Sequence, residues 1–269
     1  MAGLRVITLV GDAEIGYDDV GTGLPVVFLH AFPLNRTMWE PQIGALVAES
    51  RCIAIDVRGF GDSAAVPPFT IDRYADDAAA VLDALRIERA VVVGQSMGGY
   101  VAFALWRRHR ARVRGLVLAD TRAGADTIEA VGRRRELIEL AEAQGSTAVA
   151  NRQIAGLVGK TTRDKRPDIY DAVHRTIAEA SVEGIAGALE AMIARPDSSE
   201  TCASIDVPTL VIVGDEDVLT PVTEAQALAA LIPGSRLEIL TQAGHLSNVE
   251  RPAAFNTVVS EFLASLLYH

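Results

Sequence analysis

The sequence predicts an α/β fold in which a mostly parallel β-sheet is flanked by helices and carries an inserted helical segment. Short, uninterrupted runs of Val, Ile and Leu indicate strands that are buried on both faces. Segments with a helical spacing of apolar residues separate these runs, as expected for right-handed βαβ units. The chain has 269 residues, 49% of them hydrophobic, which is enough for a large core and excludes general disorder.

The predicted strands begin with a hairpin and continue as buried runs. Residues 4–10 and 14–20 flank Gly11-Asp12, a two-residue turn that can adopt a positive φ. Six continuous apolar runs of strand length follow along the chain. They are residues 26–29, 51–55, 90–94, 113–119, 209–213 and 237–240.

Helices are predicted between the strands. Residues 71–85 carry apolar side chains at helical spacing, with Thr70 or Asp72 as the N-cap. Further helices are predicted for residues 97–108, 223–231 and 252–267.

One long stretch, from about residue 122 to residue 200, has helical patterns and no strand-like run. Helical periodicity is clearest in residues 126–143, 169–180 and 185–193. We therefore expect an α/β core formed by residues 1–121 and 200–269 and a helical cap formed by residues 122–199. Such an insertion is expected at the carboxyl edge of the sheet, where the loops of α/β folds form the active site.

The composition excludes several classes of partner. The 25 Lys and Arg residues are outnumbered by 35 Asp and Glu, so we expect no broad phosphate-binding face and no nucleic-acid partner. Cys52 and Cys202 are too few for a disulfide scaffold, which favours a reducing compartment. The N-terminal residues lack the long apolar segment of a signal peptide or membrane span. We therefore expect a cytoplasmic protein without a membrane partner.

The segment Gly94-Gln95-Ser96-Met97-Gly98 has the pattern G-x-S-x-G between a predicted strand and a predicted helix. A sharp turn in this context exposes the serine at the end of the strand, and glycine two residues away on either side avoids a clash. The N-terminus of the following helix directs free N–H groups and partial positive charge at the same place. The pattern predicts that Ser96 is a nucleophile.

A serine nucleophile needs a base, and two histidines are placed to supply it. His245 lies in a loop after the last predicted strand and before the final helix. His30 ends a strand at the same edge of the sheet and is a rival, although it could equally stabilise a turn. His109 lies in a basic segment and His174 in the insertion, while His269 is terminal, so we favour His245.

The acid that orients the base has three candidates from the residues alone. Asp215 and Asp217 follow the strand at residues 209–213, and Asp120 ends the preceding strand. Asp215 is also suited to a turn, where an aspartate bonds to nearby backbone. An acid at Asp217 would give the chain order nucleophile, acid, base found in hydrolases with the site above the sheet.

An oxyanion hole would complete such a site. One donor is expected to be the N–H of Met97, which follows the nucleophile. The other is expected from the loop at residues 30–34, and the N–H of Phe32 is its best candidate because Pro33 has no N–H.

Together these segments resemble the α/β-hydrolase family over nearly the whole chain. Asp-Val-Arg-Gly-Phe-Gly-Asp-Ser at residues 56–63 is similar to the turn after the fourth strand of the family. Residues 214–217 and 243–245 are similar to its acid and base segments. The resemblance implies a catalytic triad of Ser96, Asp217 and His245 and a helical cap.

Residues 30–34 and 94–99, with Met38-Trp39, look closest to the branch that contains carboxylesterases, 3-oxoadipate enol-lactonases and cofactor-free haloperoxidases. Ala31 departs from the pattern, since the family often has glycine there. A serine at position 96 argues against haloalkane dehalogenase and epoxide hydrolase chemistry, which use a carboxylate nucleophile.

We therefore expect a serine hydrolase that cleaves a small or medium carboxylic ester or lactone through an acyl-enzyme. The alternatives are an enol-lactone hydrolase or perhydrolase of the same fold, or a receptor that keeps the hydrolase framework without turnover. No metal or organic cofactor is expected.

Two further sequence patterns are not assigned to the predicted active site. Residues 59–64 fit the dinucleotide pattern G-x-G-x-x-A, but Pro67 and Pro68 precede any helix, so we do not expect dinucleotide binding. The basic run at residues 133–135 is expected on the solvated face of a helix in the insertion.

Overall fold

An eight-stranded sheet forms the centre of the protein in the computed structural model, which describes residues 4–267. Its strands are β1 (Leu4–Val10), β2 (Ala13–Val20), β3 (Leu24–Leu29), β4 (Ser50–Ile55), β5 (Ala90–Gln95), β6 (Val113–Ala119), β7 (Thr209–Gly214) and β8 (Arg236–Leu240). Their order across the sheet is β1-β2-β4-β3-β5-β6-β7-β8. The first two strands are antiparallel to their neighbours, and β3 to β8 are parallel. The predicted fold class is confirmed.

The opening hairpin forms as predicted, with Val10 opposite Ala13 and a positive φ of 60° at Gly11. Residues 1–3, which precede the first predicted strand, lie outside the described residues. Every residue of β5 and β7 is buried, as their continuous apolar sequences indicate. The same prediction is wrong for β8, where Ile239 is 43% exposed, because β8 is an edge strand paired with β7.

Twelve α-helices surround the sheet within residues 4–267. They are α1 (Glu40–Leu46), α2 (Ile71–Ala84), α3 (Met97–His109), α4 (Ile128–Gln144), α5 (Ser146–Leu157), α6 (Lys160–Lys165), α7 (Pro167–Ala178), α8 (Val182–Ile193), α9 (Ser199–Ala203), α10 (Val222–Leu231), α11 (Ser247–Glu250) and α12 (Pro252–Ser265). The Thr70 side chain caps α2 by accepting a hydrogen bond from the backbone N–H of Arg73. No helix in this part of the chain combines the length and apolar character needed to cross a bilayer.

The helices α4 to α8, here called the helical insertion, lie between β6 and β7. The helix α4 packs against α8, and α5 packs against α7. The helices α4, α7 and α8 match predicted periods, whereas α5 and α6 were not predicted individually. The insertion also approaches the core closely, since a Cβ atom added at Gly59 would lie 2.7 Å from Gly184 Cα in α8. The division at residues 122 and 199 stays a prediction.

The parallel register places the carboxyl ends of neighbouring strands side by side. Leu29 is paired with Gly94, and Gly94 is paired with Leu118. The loops that follow β3, β5, β6 and β7 therefore leave the sheet along one edge, and the predicted site residues lie on these loops or on the loop after β8.

Candidate active site

Ser96 lies on a strained turn between β5 and α3. Its φ of 53° and ψ of −112° lie outside the usual regions for a residue with a side chain. A Cβ atom at Gly94 would lie 2.4 Å from the carbonyl oxygen of Gly98. One at Gly98 would lie 2.1 Å from the carbonyl oxygen of Leu29. Gly94 therefore allows the end of β5 to lie close to α3, and Gly98 allows α3 to lie close to the end of β3.

His245 lies between Ser96 and Asp217. Its Nε2 atom is 2.7 Å from Ser96 Oγ, and its Nδ1 atom is 2.8 Å from Asp217 Oδ2. His245 and Asp217 are 3% and 5% exposed, whereas Ser96 is half-buried. With Asp217 ionised, Nδ1–H donates a hydrogen bond to the carboxylate, and Nε2 accepts a hydrogen bond from the Ser96 hydroxyl. The structure thus brings together the three residues that the resemblance implies.

The environment of Asp217 keeps its carboxyl group ionised. Burial opposes ionisation, but the charge and hydrogen bond of His245, with hydrogen bonds from Thr220, lower the pKa of Asp217 below its ordinary value. The other oxygen, Oδ1, accepts backbone hydrogen bonds from Leu219 at 2.8 Å and Thr220 at 3.0 Å. These bonds fix the carboxylate toward the imidazole.

The pKa of His245 is displaced in the opposite direction. Burial alone would favour the neutral imidazole, but the charge of Asp217 and its hydrogen bond to Nδ1 raise the pKa of His245 above its ordinary value. Gln95 Nε2 donates to the carbonyl oxygen of His245 at 2.7 Å and so holds the histidine loop to the residue before Ser96.

The rival histidine, His30, has a structural role. Its Nδ1–H donates to the carbonyl oxygen of Ala31 at 3.0 Å, and its Nε2 accepts from the backbone N–H of Val57 at 3.0 Å. Burial lowers the pKa of His30, which fits this neutral form. Both ring nitrogens are therefore occupied by backbone groups of the loops after β3 and β4.

The other two acid candidates do not contact the imidazole. Asp215 is exposed and accepts a hydrogen bond from the backbone N–H of Gln242 at 2.7 Å. Asp120 is fully buried, and burial together with the charge of Asp217 raises the pKa of Asp120 well above its ordinary value. Asp120 accepts hydrogen bonds from Gln95 Nε2, the Gly214 N–H and the Ser247 hydroxyl. It thus connects the segments that carry Ser96, Asp217 and His245.

The two predicted oxyanion donors are free to bind a ligand. Within residues 4–267, neither the N–H of Phe32 nor that of Met97 donates a hydrogen bond to the protein. Ala31 occupies the loop without a positive φ, so the position does not require glycine. Its N–H is directed instead at Met38 Sδ, at 3.3 Å.

A cavity of about 240 Å³ extends from Ser96 and His245 to the helical insertion. Phe32 lines it from the core, and Arg133 and Arg134 line it from α4. The prediction of a solvated face is wrong for Arg134, which forms a salt bridge with Asp126 and is 19% exposed. Sequence periodicity did not predict this, because the helix α4 is polar around much of its circumference.

Two carboxylates join the insertion to the loops that carry His245 and Asp217. Glu250 Oε2 accepts from the Gly159 N–H at 2.8 Å and from Thr162 Oγ1 at 2.5 Å, both in the insertion. Its Oε1 accepts from the Gly244 N–H at 2.9 Å, next to His245. Glu216, one residue before Asp217, accepts from the backbone N–H of Thr161 at 2.7 Å. Nothing in the local sequence predicted these contacts.

The two glycines of residues 59–64 allow close packing within the protein, Gly59 against Gly184 of α8 and Gly61 against the Asp56 carboxylate. A Cβ atom at Gly61 would lie 2.1 Å from Asp56 Oδ2, so the absence of a side chain at Gly61 leaves room for the Asp56 carboxylate. Residues 56–70 contain no helix, and α2 begins only at Ile71. In the part of the chain that the structure describes, no group of three or more His, Cys, Asp or Glu side chains is arranged to hold a metal ion.

Comparison with known proteins gives the same fold and the same family. A family model described as the alpha/beta hydrolase fold matches residues 25–252. The chain superimposes on an esterase from Thermogutta terrifontis with a TM-score of 0.93 and 37% identity, covering 99% of both chains. It is 31% identical to 3-oxoadipate enol-lactonase 1 of Acinetobacter baylyi, over 90% of this chain and 89% of the relative. It is 32% identical to the putative non-heme bromoperoxidase BpoC of Mycobacterium tuberculosis, over 94% and 98%. The protein belongs to the α/β-hydrolase family, and its relatives include the esterases, enol-lactonases and haloperoxidases of the branch that the sequence resembles.

Proposed function

We propose that the protein is a serine hydrolase that cleaves a small or medium carboxylic ester or lactone through an acyl-enzyme. The observation that carries the proposal is the contact of one imidazole with both partners, at 2.7 Å from Ser96 Oγ and 2.8 Å from Asp217 Oδ2. The relatives named as esterase and enol-lactonase support the choice of ester and lactone substrates.

Acylation follows from this geometry. His245 accepts the Ser96 proton as Oγ attacks the carbonyl carbon, and the N–H groups of Phe32 and Met97 stabilise the oxyanion of the tetrahedral intermediate. Asp217 keeps the imidazole in the required tautomer and stabilises its protonated form. His245 then donates the proton to the departing alcohol, which remains part of the same molecule when the substrate is a lactone.

Deacylation repeats these steps with water. His245 activates a water molecule that attacks the acyl-enzyme carbonyl, and collapse of the second intermediate releases the acid and restores the Ser96 hydroxyl. In this proposal residues 122–199 act as a cap that limits the size of the acyl group and the access of water. The cavity between the insertion and Ser96 supports that role.

Replacing Ser96 by alanine tests the proposal. We expect Ser96→Ala to lower kcat for p-nitrophenyl butyrate by at least about a thousandfold with the fold retained, because the acyl acceptor is lost. Ser260→Ala removes an exposed hydroxyl on α12 and is the matched control, expected to stay within about twofold of the unchanged protein. Full activity in Ser96→Ala would exclude the proposed nucleophile.

A second candidate is a perhydrolase, which the relatives named as haloperoxidases favour. Hydrogen peroxide would replace water as the acceptor of the acyl group, releasing a peroxyacid and the free serine. Peroxyacid produced from an ester and hydrogen peroxide, measured by iodide oxidation and lost in Ser96→Ala, would support this activity. A receptor would instead give one burst of p-nitrophenol and a stable adduct without further turnover.

A further inference from the structure

We propose that Glu250 is a positioning residue: its carboxylate holds the loop of His245 in place for proton transfer, and the helical insertion holds that carboxylate. This inference rests on the proposed hydrolase function and adds a residue that acts through the base.

The Glu250 carboxylate is bonded to the backbone on both sides of the imidazole. Glu250 is 3% exposed and ends the short helix α11. Its Oε1 atom accepts hydrogen bonds from the N–H of Gly244 at 2.9 Å and the N–H of Leu246 at 3.2 Å. These two residues flank His245, so one oxygen atom fixes the backbone before and after the base.

The insertion supplies the donors for the other oxygen. Oε2 accepts hydrogen bonds from the Gly159 N–H at 2.8 Å and from Thr162 Oγ1 at 2.5 Å. The two backbones also lie in direct contact, since a Cβ atom at Gly244 would lie 2.1 Å from the Gly159 nitrogen. A shift of this part of the insertion would therefore move the carboxylate and, with it, the loop of His245.

These contacts require an acceptor at both oxygen positions of residue 250. At least one backbone N–H group donates to each oxygen. Glutamine has one acceptor oxygen and one NH2 group, and the NH2 group would face a backbone N–H whichever way the amide turned. A buried donor that faces another donor is costly, so Glu250→Gln loses the contacts on one side.

The charge of Glu250 also acts on the imidazole. Within residues 4–267, Glu250 forms no salt bridge with Lys or Arg. Burial lowers the pKa of His245, but the charges of Asp217, Asp120 and Glu250 raise it. The cations that face the imidazole line the cavity; they are Arg122, Arg133 and Arg134. A negative charge favours the imidazolium, so Glu250 helps the base to hold the proton taken from Ser96.

Glu250→Gln tests the proposal through kcat. Glu250 does not line the cavity, so substrate binding should be retained while proton transfer slows. We expect kcat for p-nitrophenyl butyrate to fall about tenfold or more, with KM within about twofold. Glu142→Gln changes an exposed glutamate of α4 and is the control, expected to leave both constants unchanged. An unchanged kcat in Glu250→Gln would overturn the proposal.

Thr162→Val tests the contribution of the insertion, and it decides the question if Glu250→Gln does not fold. It removes the Oγ1 donor with little change of shape and leaves the Glu250 charge in place. We expect kcat to fall about threefold, because one hydrogen bond to the carboxylate is lost. Thr257→Val, at an exposed residue of α12, should leave kcat unchanged. Equal kcat values in these two variants would overturn the role of the insertion.

The pH profile separates the effect of Glu250 on the imidazole from a general structural defect. The acid-side inflection of kcat/KM should move to lower pH in Glu250→Gln and stay in place in Thr162→Val. It should also stay in place in Glu216→Gln, because the Glu216 side chain bonds to Thr161 of the insertion and not to the residues beside His245. Equal shifts in Glu250→Gln and Glu216→Gln, or no shift in either, would overturn the action of Glu250 on the base.

Proton NMR separates this proposal from the proposed function. In the Ser96→Ala background, the Cε1 proton of His245 is assigned by its loss in His245→Ala and titrated with pH. Adding Glu250→Gln should lower the pKa of His245 whether or not the protein turns over esters. Absence of Ser96-dependent hydrolysis of any ester overturns the proposed function. Ser96-dependent hydrolysis with full kcat in both Glu250→Gln and Thr162→Val overturns only the role of Glu250.

Discussion

His245 shows how a single side chain depends on charges contributed by distant segments. Asp217 raises the pKa of its imidazole, while burial acts against protonation. In the proposed mechanism, His245 must be neutral to accept the Ser96 proton, and it must then hold the proton until the alcohol departs. A base whose pKa lies close to the working pH serves both steps.

The pH dependence of kcat/KM should show the raised pKa of His245. We expect activity to fall on the acid side as His245 becomes protonated, with an inflection above 6.5, the ordinary pKa of histidine. Asp217→Asn removes the charge that raises this pKa, so the inflection should move to lower pH. The loss of the fixed tautomer should also reduce kcat by roughly 10⁴.

Asp215→Asn is the control for that experiment, because Asp215 is exposed and makes no contact with the imidazole. Its pH profile should match that of the unchanged protein. An inflection that stayed in place in Asp217→Asn would show that the titrating group is not the imidazole paired with Asp217.

Residues in motifs could be predicted from the sequence, and residues that act through long-range contacts could not. Ser96 follows from its strand, turn and helix context, whereas choosing Asp217 over Asp215 and Asp120 needed the family resemblance. Gln95 bonds to the carbonyl oxygen of a residue 150 positions later, and no local pattern encodes such a contact.

At the scale of elements, the join between β5 and α3 depends on glycine because three backbone segments meet there. A Cβ atom at Gly98, within α3, would lie 2.1 Å from the carbonyl oxygen of Leu29 in β3. Backbone cannot move aside as a flexible side chain can, so a methyl group there must displace α3 from the sheet.

Gly98→Ala should therefore destabilise the protein by about 1–3 kcal/mol and reduce hydrolysis, because the Ser96 turn shifts with α3. Gly132→Ala provides a control within another helix, since a Cβ atom there meets nothing within 4 Å. It should stabilise the protein by up to about 1 kcal/mol through better helix propensity. Urea unfolding followed by circular dichroism measures both, and equal free energies of unfolding would contradict this account of the turn.

The predictability of each element followed its burial and its length. Strands such as β5 and β7 were predicted because both of their faces are buried, and α2 because its apolar spacing and its cap at Thr70 agree. The helices α1, α9 and α11 have only four to seven residues, too few for a periodic signal. The exposure of β8 depends on its place at the sheet edge, which its own sequence does not specify.

Across the whole molecule, the parallel sheet brings together residues from three distant parts of the chain. Ser96 and His245 are separated by 149 positions and lie 2.7 Å apart at the same edge of the sheet. Glu250 connects this edge to the insertion, because it accepts hydrogen bonds from Gly159 and from Gly244. Hydrogen bonds to Glu250 thus connect the candidate site to the helical insertion.

Covalent labelling of the active serine tests the central claim most directly. Diethyl p-nitrophenyl phosphate should phosphorylate Ser96 Oγ once per molecule with release of one p-nitrophenolate, since the His245 imidazole activates that hydroxyl. Peptide mass spectrometry should place the adduct on Ser96, and labelling should slow greatly in His245→Ala. No adduct under these conditions, or inactivation with the adduct on a different residue, would contradict the account.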